Sequence, residues 1–242
     1  MTEKPVAIVT GAGTGIGAAC CRDLSQKGFR VGVHYRSSEA GAMAVLSSIA
    51  DGFMLRADLD DIAQTDLLIN EIKTRAGRVD VLVNNAGHSI NSDILSMRIE
   101  QFDAQRNMAR GTWYLTKRII RQFMVRQGSG RVINISSVVG HTGNPGQIPY
   151  TMEKAALDAF TKSLAREMAG RNILVNSVAP GFIQTGMTEE LPAVARERIL
   201  PGIILGRIGR PEEVAEVVGF LASGASYITG SVIHVNGGLY VG

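Results

Sequence analysis

Seven short runs of apolar, mostly β-branched residues alternate along the chain with longer segments of helical period. Each run has about 5 residues and is nearly continuous in apolar character, as expected of strands that are buried on both faces. Repeated alternation of this kind predicts an α/β fold, a doubly wound parallel sheet of about seven strands with helices on both faces. The predicted strands cover residues 5–9, 30–35, 52–57, 79–84, 131–136, 173–178 and 232–235, and the predicted helices cover residues 15–27, 63–76, 102–127, 150–169 and 211–221.

Composition narrows the class of protein. Of the 242 residues 45% are hydrophobic, which is enough for a core and excludes a disordered chain. No apolar run approaches the ~18 residues that a membrane helix needs, and the apolar run at residues 6–9 is too short for a secretory signal. The net charge of +3 comes without a long basic tract for nucleic acid. Cys20 and Cys21 are adjacent, so they are expected to be reduced thiols. We therefore expect a cytoplasmic globular protein.

No repeat, low-complexity stretch or Pro/Ser-rich linker divides the chain, so we predict a single domain over residues 1–242. Residues 182–209 mix Gly, Pro, Met and Leu around a short helix-like segment at residues 193–200. This stretch is either a flexible flap over a substrate site or an ordinary long connection. Long loops of this kind are uncommon in compact domains, which favours the flap.

A glycine-rich loop at residues 10–17 follows the first strand and opens the first helix. Glycines there allow a tight turn and let a pyrophosphate approach the exposed amides of the helix N-terminus. Two spacings fit: one uses Gly13, Gly15 and Ala18, whereas the other uses Gly11, Gly15 and Gly17. The second starts directly at the end of the strand, and we prefer it on that ground. The loop predicts a dinucleotide-binding site.

The end of the second strand predicts which coenzyme is bound. An NAD site usually has an acidic residue there, which holds the ribose 2′-hydroxyl. This chain has Tyr35 followed by Arg36, Ser37 and Ser38. A guanidinium with neighbouring hydroxyls suits the 2′-phosphate of NADP(H), although a solvated surface arginine is the alternative.

Tyr150 and Lys154 are four residues apart in a helical pattern and therefore share one helix face. A tyrosine hydroxyl, with an ordinary pKa near ~10, needs a neighbouring ammonium to serve as an acid or base at neutral pH. Ser136 and Ser137 come 13 to 14 residues earlier, at the end of a predicted strand. A hydroxyl at that position faces the crevice where open α/β sheets bind ligands, although serines there are also common turn formers.

Five motifs occur in order and at typical separations: the glycine loop, Asn84-Asn85-Ala86-Gly87, Ser137, Tyr150 with Lys154, and Pro180-Gly181. Together they resemble the short-chain dehydrogenase/reductase family, which has a Rossmann-like fold. The resemblance spans essentially the whole chain, and its segments at 134–140, 143–150, 178–187 and 234–238 are closest to those of 3-oxoacyl-[acyl-carrier-protein] reductases.

The resemblance implies catalytic roles for four residues. Tyr150 would be the general acid that protonates the carbonyl oxygen. Lys154 would support Tyr150 and hold the nicotinamide ribose, and Ser137 would hydrogen-bond the substrate carbonyl. Asn107 matches a position that helps to order a water in the proton relay.

It also implies a set of NADP(H)-binding residues. Asp58 would bind the adenine amino group, Asn85 and Ala86 would line the adenosine ribose, and Ile183 and Thr185 would contact the carboxamide. The full set is Gly11, Thr14, Gly15, Ile16, Gly17, Tyr35, Arg36, Ser37, Asp58, Leu59, Asn85, Ala86, Gly87, Tyr150, Lys154, Pro180, Gly181, Ile183 and Thr185.

Three positions depart from the family pattern. Thr14 stands where NADP-dependent relatives often carry Arg, which removes one phosphate contact. Glu153 stands between Tyr150 and Lys154, where relatives often have a small residue, and an unsolvated carboxylate there would oppose phenolate formation. The segment that follows Asn107 also differs from the usual one.

The activity implied is the NADPH-dependent reduction of a 3-oxoacyl thioester, on acyl carrier protein or CoA, to the 3-hydroxyacyl product, as in fatty acid biosynthesis. Two alternatives stay open: an oxidoreductase of another ketone or alcohol, such as a polyketide, sugar or steroid, and a catalytically idle cofactor-binding subunit. The presence of Ser137, Tyr150 and Lys154 together weighs against the idle subunit.

The expected partners follow from the same resemblance. We expect a homotetramer, in which helices 102–127 and 150–169 pair across a two-fold axis and residues 232–242 form a second contact. No nucleic-acid or membrane partner is expected. No metal is expected either, because the four histidines lack metal-ligand spacing. His88 and His141 follow site motifs, but positions behind the site residues or facing solvent are favoured for both. Arg126, Arg131 and Arg171 either meet an acidic carrier protein or form a solvated face.

Overall fold

The computed structural model describes residues 4–186 and 199–242. All the predicted strands form, in one seven-stranded sheet with the order β3-β2-β1-β4-β5-β6-β7, and every neighbouring pair is parallel. The predicted doubly wound α/β fold is therefore confirmed. The strands are β1 Val6–Val9, β2 Arg30–Tyr35, β3 Gly52–Arg56, β4 Val81–Asn84, β5 Gly130–Ile135, β6 Ile173–Pro180 and β7 Val232–Val235.

Helices lie between these strands, and each predicted helix is present. The helix that begins at Ile99 continues through a π-helical turn, Ile120–Met124, into a last turn at Val125–Gln127. The helices are α1 Gly15–Gln26, α2 Glu39–Ser47, α3 Ile62–Arg75, α4 Ile99–Ile119, α5 Val139–Thr142, α6 Ile148–Met168 and α7 Pro211–Ser223. No helix in the described part of the chain is long and apolar enough to cross a bilayer.

Two apolar cores form because successive residues of a strand face opposite sides of the sheet. In β1, Ala7 and Val9 enter the core under α1, α2 and α7, whereas Val6 and Ile8 enter the core under α3, α4 and α6. Strands covered on both faces need apolar residues at every position. This requirement is the reason for the continuous runs seen in the sequence.

One helix was not predicted, and one predicted segment can be compared with the structure only in part. Helix α2 was not predicted, because only Ala42 and Val45 of its 9 residues are buried and the apolar period is too weak to detect. Residues 187–198 of the predicted flap at 182–209, which include most of its helix-like segment at 193–200, lie outside the described residues.

The order of the strands creates a crevice beside β1. β1 pairs with β2 on one side and with β4 on the other, so the chain leaves the centre of the sheet in two opposite directions. The loops that follow β1 and β4 therefore diverge at the carboxyl edge. Ligands of open α/β sheets bind at such a switch point.

Candidate active site

A cleft of about 460 Å³ opens at this edge of the sheet. Every site residue predicted from the sequence lines it, except Gly17 and Asn107. The cleft also includes residues outside the predicted site set: Gly13, His34, Ser38, Ala57, Asp60, His88, Met108, Ile135, Ser136 and Gly186.

The glycine loop is closely packed because its glycines lie where side chains do not fit. Gly11 has φ +61°, and a Cβ there would lie 2.8 Å from the Cα of Ala86. A Cβ on Gly17 would overlap the carbonyl oxygen of Gly11, so Gly17 keeps the loop against α1 instead of facing the cleft. Gly15 has φ +53° and faces Thr185 across the cleft. These are the glycines of the preferred spacing.

Thr10 and Asn85 attach this loop to the end of β4. The buried Thr10 hydroxyl accepts hydrogen bonds from the amides of Asn85 and Ala86, each at 2.9 Å. The Asn85 side-chain amide donates to the carbonyls of Thr10 at 2.9 Å and Gly11 at 3.0 Å. The Asn85 side chain therefore fixes the loop, and Asn85 also lines the cleft.

His34 joins the loop to the neighbouring strands. Its ring is 2% exposed, and Nδ1 accepts from the Gly11 amide at 3.3 Å while Nε2 lies 3.2 Å from the carbonyl oxygen of Ala57. These partners require the neutral tautomer with its proton on Nε2. Burial accordingly lowers the pKa of His34 from 6.5 to about 4. The neutral ring thus links the glycine loop to the residue before Asp58.

The start of α1 suits a phosphate group. Thr14 has an extended backbone, and the helix begins at Gly15 with a first turn that carries no acidic side chain. The unpaired amides and the positive end of the helix dipole therefore point at the cleft unopposed. This cradle fits the pyrophosphate of a dinucleotide.

Charged groups gather where β2 and β3 end. Arg36 is exposed, whereas Asp58, Asp60 and His88 are half-buried, and all four line the cleft. Burial raises the pKa of Asp60, and the Asp58 carboxylate adds to this effect. Burial and the positive charge of Arg36 lower the pKa of His88. This end of the cleft thus holds one permanent cation beside two carboxylates.

Ser137, Tyr150 and Lys154 meet at the other end. Lys154 is 5% exposed, and its Nζ donates to the carbonyl oxygen of Ile135 at 2.9 Å. The same ammonium lies 5.4 Å from the centroid of the Tyr150 ring. Ser137 is the second residue after β5, and its hydroxyl accepts from the Val139 amide at 3.3 Å. β5 and α6 therefore bring a hydroxyl, a phenol and an ammonium to one place.

A chain of buried polar side chains supports this arrangement from below. The Asn84 amide donates to Thr116 of α4 at 2.9 Å and to the Asn134 side chain at 2.8 Å. Asn134 in turn donates to Thr161 of α6 at 2.8 Å, and Thr161 bonds Ser177 of β6, also at 2.8 Å. Because buried polar groups must be paired, these bonds fix the positions of α4 and α6 relative to the sheet.

Asn107 is half-buried on α4, next to Met108, which lines the cleft. Its predicted part in a proton relay stays a prediction. Among the polar and charged residues of the cleft, sequence reasoning missed His34 and Asp60, and it favoured a position behind the site or facing solvent for His88. The signal for His34 was a polar residue inside a buried strand beside a glycine loop, and the signal for His88 was its position directly after Gly87.

Comparison with known proteins identifies the family. The family model described as enoyl-(acyl carrier protein) reductase matches residues 11–240. A 3-oxoacyl-[acyl-carrier-protein] reductase of Haemophilus influenzae is 44% identical over 99% of both chains, and one of Thermotoga maritima is 43% identical over 99% of both. The Staphylococcus aureus reductase of the same name is 42% identical over 97% of this chain and 98% of its own.

These matches extend over nearly the whole chain, and they agree with the parallel sheet, the glycine loop and the grouped Ser137, Tyr150 and Lys154. The chain therefore belongs to the short-chain dehydrogenase/reductase family, and it is an oxidoreductase that binds a nicotinamide coenzyme and acts on a ketone or hydroxyl group.

Proposed function

We propose that this protein reduces a 3-oxoacyl thioester to the 3-hydroxyacyl thioester with NADPH. The observation that carries the proposal is Lys154. This lysine is buried, bonded to the end of β5 and placed 5.4 Å from the Tyr150 ring, inside a cleft that begins at a phosphate cradle. A buried ammonium beside a phenol has a clear chemical use, since it stabilises the phenolate that proton donation leaves behind.

The proposed preference for NADPH over NADH is based on the residues at the end of β2. Tyr35 stands where an NAD site has a carboxylate, and its side chain is buried. Arg36, Ser37 and Ser38 line the cleft directly after it. A guanidinium and two hydroxyls can bind a 2′-phosphate through charge-assisted hydrogen bonds, so this strand end favours NADPH over NADH.

The chain's own residues supply the proton that the carbonyl oxygen receives in the reaction. Bound NADPH supplies a hydride for the carbonyl carbon. Ser137 donates a hydrogen bond to the carbonyl oxygen and holds it near the Tyr150 hydroxyl. Tyr150 then gives its proton to that oxygen, and the Lys154 ammonium stabilises the resulting phenolate. The hydride and the proton together convert the ketone to a hydroxyl.

The acyl substrate is proposed from the relatives. Those named above are 3-oxoacyl-[acyl-carrier-protein] reductases, which supports a role in fatty acid biosynthesis with the acyl chain on a carrier protein or on CoA. We place this reaction in the cytoplasm. The description of the matching family model, by contrast, names enoyl reduction. A 2-enoyl thioester is therefore the competing substrate that the assay must include.

We also propose that the enzyme is a homotetramer. On α6 the small residues Ala155, Ala156, Ala159 and Ser163 are exposed in the single chain. On α4 the side chain of Trp113 is 48% exposed. These two faces suit close helix packing against a second copy across a two-fold axis.

The deciding experiment measures NADPH oxidation with four substrates: acetoacetyl-CoA, a longer 3-oxoacyl carrier thioester, the matching 2-enoyl thioester and a simple ketone. We expect kcat/KM to be highest for the 3-oxoacyl thioesters. A higher value for the 2-enoyl thioester or for the simple ketone would contradict the proposed substrate class. The same panel with NADH tests the proposed coenzyme.

A further inference from the structure

Glu153 places a carboxylate inside the catalytic turn of α6, between Tyr150 and Lys154. An uncompensated negative charge there would oppose formation of a phenolate. In the structure the Glu153 side chain is half-buried and turns towards α4, where its Oε2 accepts a hydrogen bond from Nε2 of Gln105. It is not among the described residues that line the cleft. Its charge therefore has a partner outside the reaction space.

Gln105 is fully buried, and its amide is completely used. Besides Glu153, Nε2 donates to the carbonyl oxygen of His88 at 3.0 Å. Oε1 accepts from the amide of Ile90 at 2.9 Å. A carbonyl oxygen can only accept and an amide N–H can only donate, so these two bonds to the backbone fix which way the Gln105 amide points. Gln105 thus connects α4 to the segment 88–90, which follows the Asn84–Gly87 motif and begins at a residue of the cleft wall.

We propose that Glu153 is a positioning residue that holds the catalytic turn of α6 against the segment 88–90 through Gln105. Burial raises the pKa of Glu153 above its ordinary value and Asp60 adds to this effect, whereas the Lys154 ammonium and the hydrogen bond from Gln105 favour the carboxylate. The carboxylate and the amide form a bridge between two walls of the cleft. This role deepens the proposed reductase function and rests on it, because the bridge matters for turnover only if Tyr150 and Lys154 are catalytic.

Two variants of Glu153 distinguish the effect of its hydrogen bond to Gln105 from the effect of its charge. Glu153→Gln keeps an oxygen that can accept from Gln105 but removes the charge, whereas Glu153→Ala removes the acceptor. We expect Glu153→Gln to keep kcat within about twofold and Glu153→Ala to lower it about tenfold, the effect of one lost hydrogen bond. The KM for the coenzyme should stay unchanged in both. Glu167→Ala, at an exposed position on the same helix, is the matched control and should behave like the wild type.

Hydrogen exchange gives a readout that does not depend on the reaction. The amide of Ile90 should exchange faster in Glu153→Ala than in the wild type or in Glu153→Gln, since Gln105 loses the partner that holds it in place. Faster exchange in Glu153→Ala without loss of kcat would also overturn the positioning role, because the bridge would then order the segment 88–90 without affecting turnover. The proposed reductase function is tested separately, by the activity of the wild type. Unchanged exchange in Glu153→Ala, or equal losses of kcat in Ala and Gln, would overturn the positioning role itself.

A second route covers the case in which Glu153→Ala does not fold. Gln105→Met replaces the amide by an apolar side chain of similar length and should release Ile90 directly. In that background Glu153→Gln should leave kcat unchanged, because the bridge is already broken. A further loss of kcat of tenfold or more would show that Glu153 acts through something other than Gln105 and would overturn the proposal.

Discussion

Lowering the pH from 7 to 4 should cost the folded protein about 3 kcal/mol through His34 alone. The pKa of this ring is about 4 in the folded chain, against 6.5 in an unfolded one. Protons therefore bind preferentially to the unfolded chain between these two values. The stabilisation is complete above pH 6.5 and is lost as the pH falls towards 4. A shift of that size, at ~1.4 kcal/mol per pKa unit, gives the magnitude.

The structural reason is that protonated His34 has no acceptor for its second proton. The Gly11 amide already points at Nδ1, so a proton there would face another N–H group. The Ala57 carbonyl oxygen serves only Nε2. Acidification should therefore loosen the glycine loop and weaken coenzyme binding over the same pH range.

Denaturant unfolding at pH 7, 6, 5 and 4 measures this contribution when wild type is compared with His34→Gln. Glutamine can donate and accept but does not titrate in this range, so the difference between the two proteins isolates His34 from the other histidines. We expect the free-energy advantage of the wild type to shrink by about 3 kcal/mol between pH 7 and 4. A difference that stays constant with pH would refute the reasoning.

Four further outcomes are expected. Tyr150→Phe should lower kcat at least ~10²-fold while the dissociation constant of the coenzyme, measured by fluorescence titration, stays nearly unchanged; retention of more than roughly a tenth of the activity would contradict the general-acid role. Arg36→Ala should reduce kcat/KM for NADPH about 30-fold and leave NADH almost untouched, and equal losses with both coenzymes would mean that Arg36 only supports the loop. Gly17→Ala should destabilise the protein by ~1–3 kcal/mol in thermal or denaturant unfolding, because its Cβ would overlap the Gly11 carbonyl oxygen, whereas Gly170→Ala, with open space around it, should be neutral. Light scattering at micromolar concentration should give the mass of a tetramer, and a monomer would contradict the proposed packing of α4 and α6.

The sheet could be predicted from the sequence because both of its faces are covered, which forces continuous apolar runs such as that of β1. Helix α2 could not, because only Ala42 and Val45 of that helix are buried. The glycine loop was visible because its residues are consecutive. The placement of Gly17 could not be predicted from the sequence, since its packing against Gly11 and Asn85 depends on how the loop folds.

Long-range polar contacts were the part of the site that the sequence could not reveal. Glu153 could be recognised as an unusual acid, but its partner Gln105 is 48 residues away. His34 was visible as a polar residue in a strand, but its partners Gly11 and Ala57 are each 23 residues away. No periodic signal connects such pairs, so the positioning of the site depends on tertiary structure that residue patterns do not encode.

The central claim is that the chain transfers a hydride from NADPH to the carbonyl carbon of a 3-oxoacyl thioester. The most direct test is mass spectrometry of the products formed when NADPH deuterated at both C4 positions is offered to equal amounts of 3-oxoacyl and 2-enoyl thioesters. We predict a 3-hydroxyacyl thioester with one deuterium at C3. Deuterium found only in the saturated acyl chain, or no transfer to either substrate, would contradict the account.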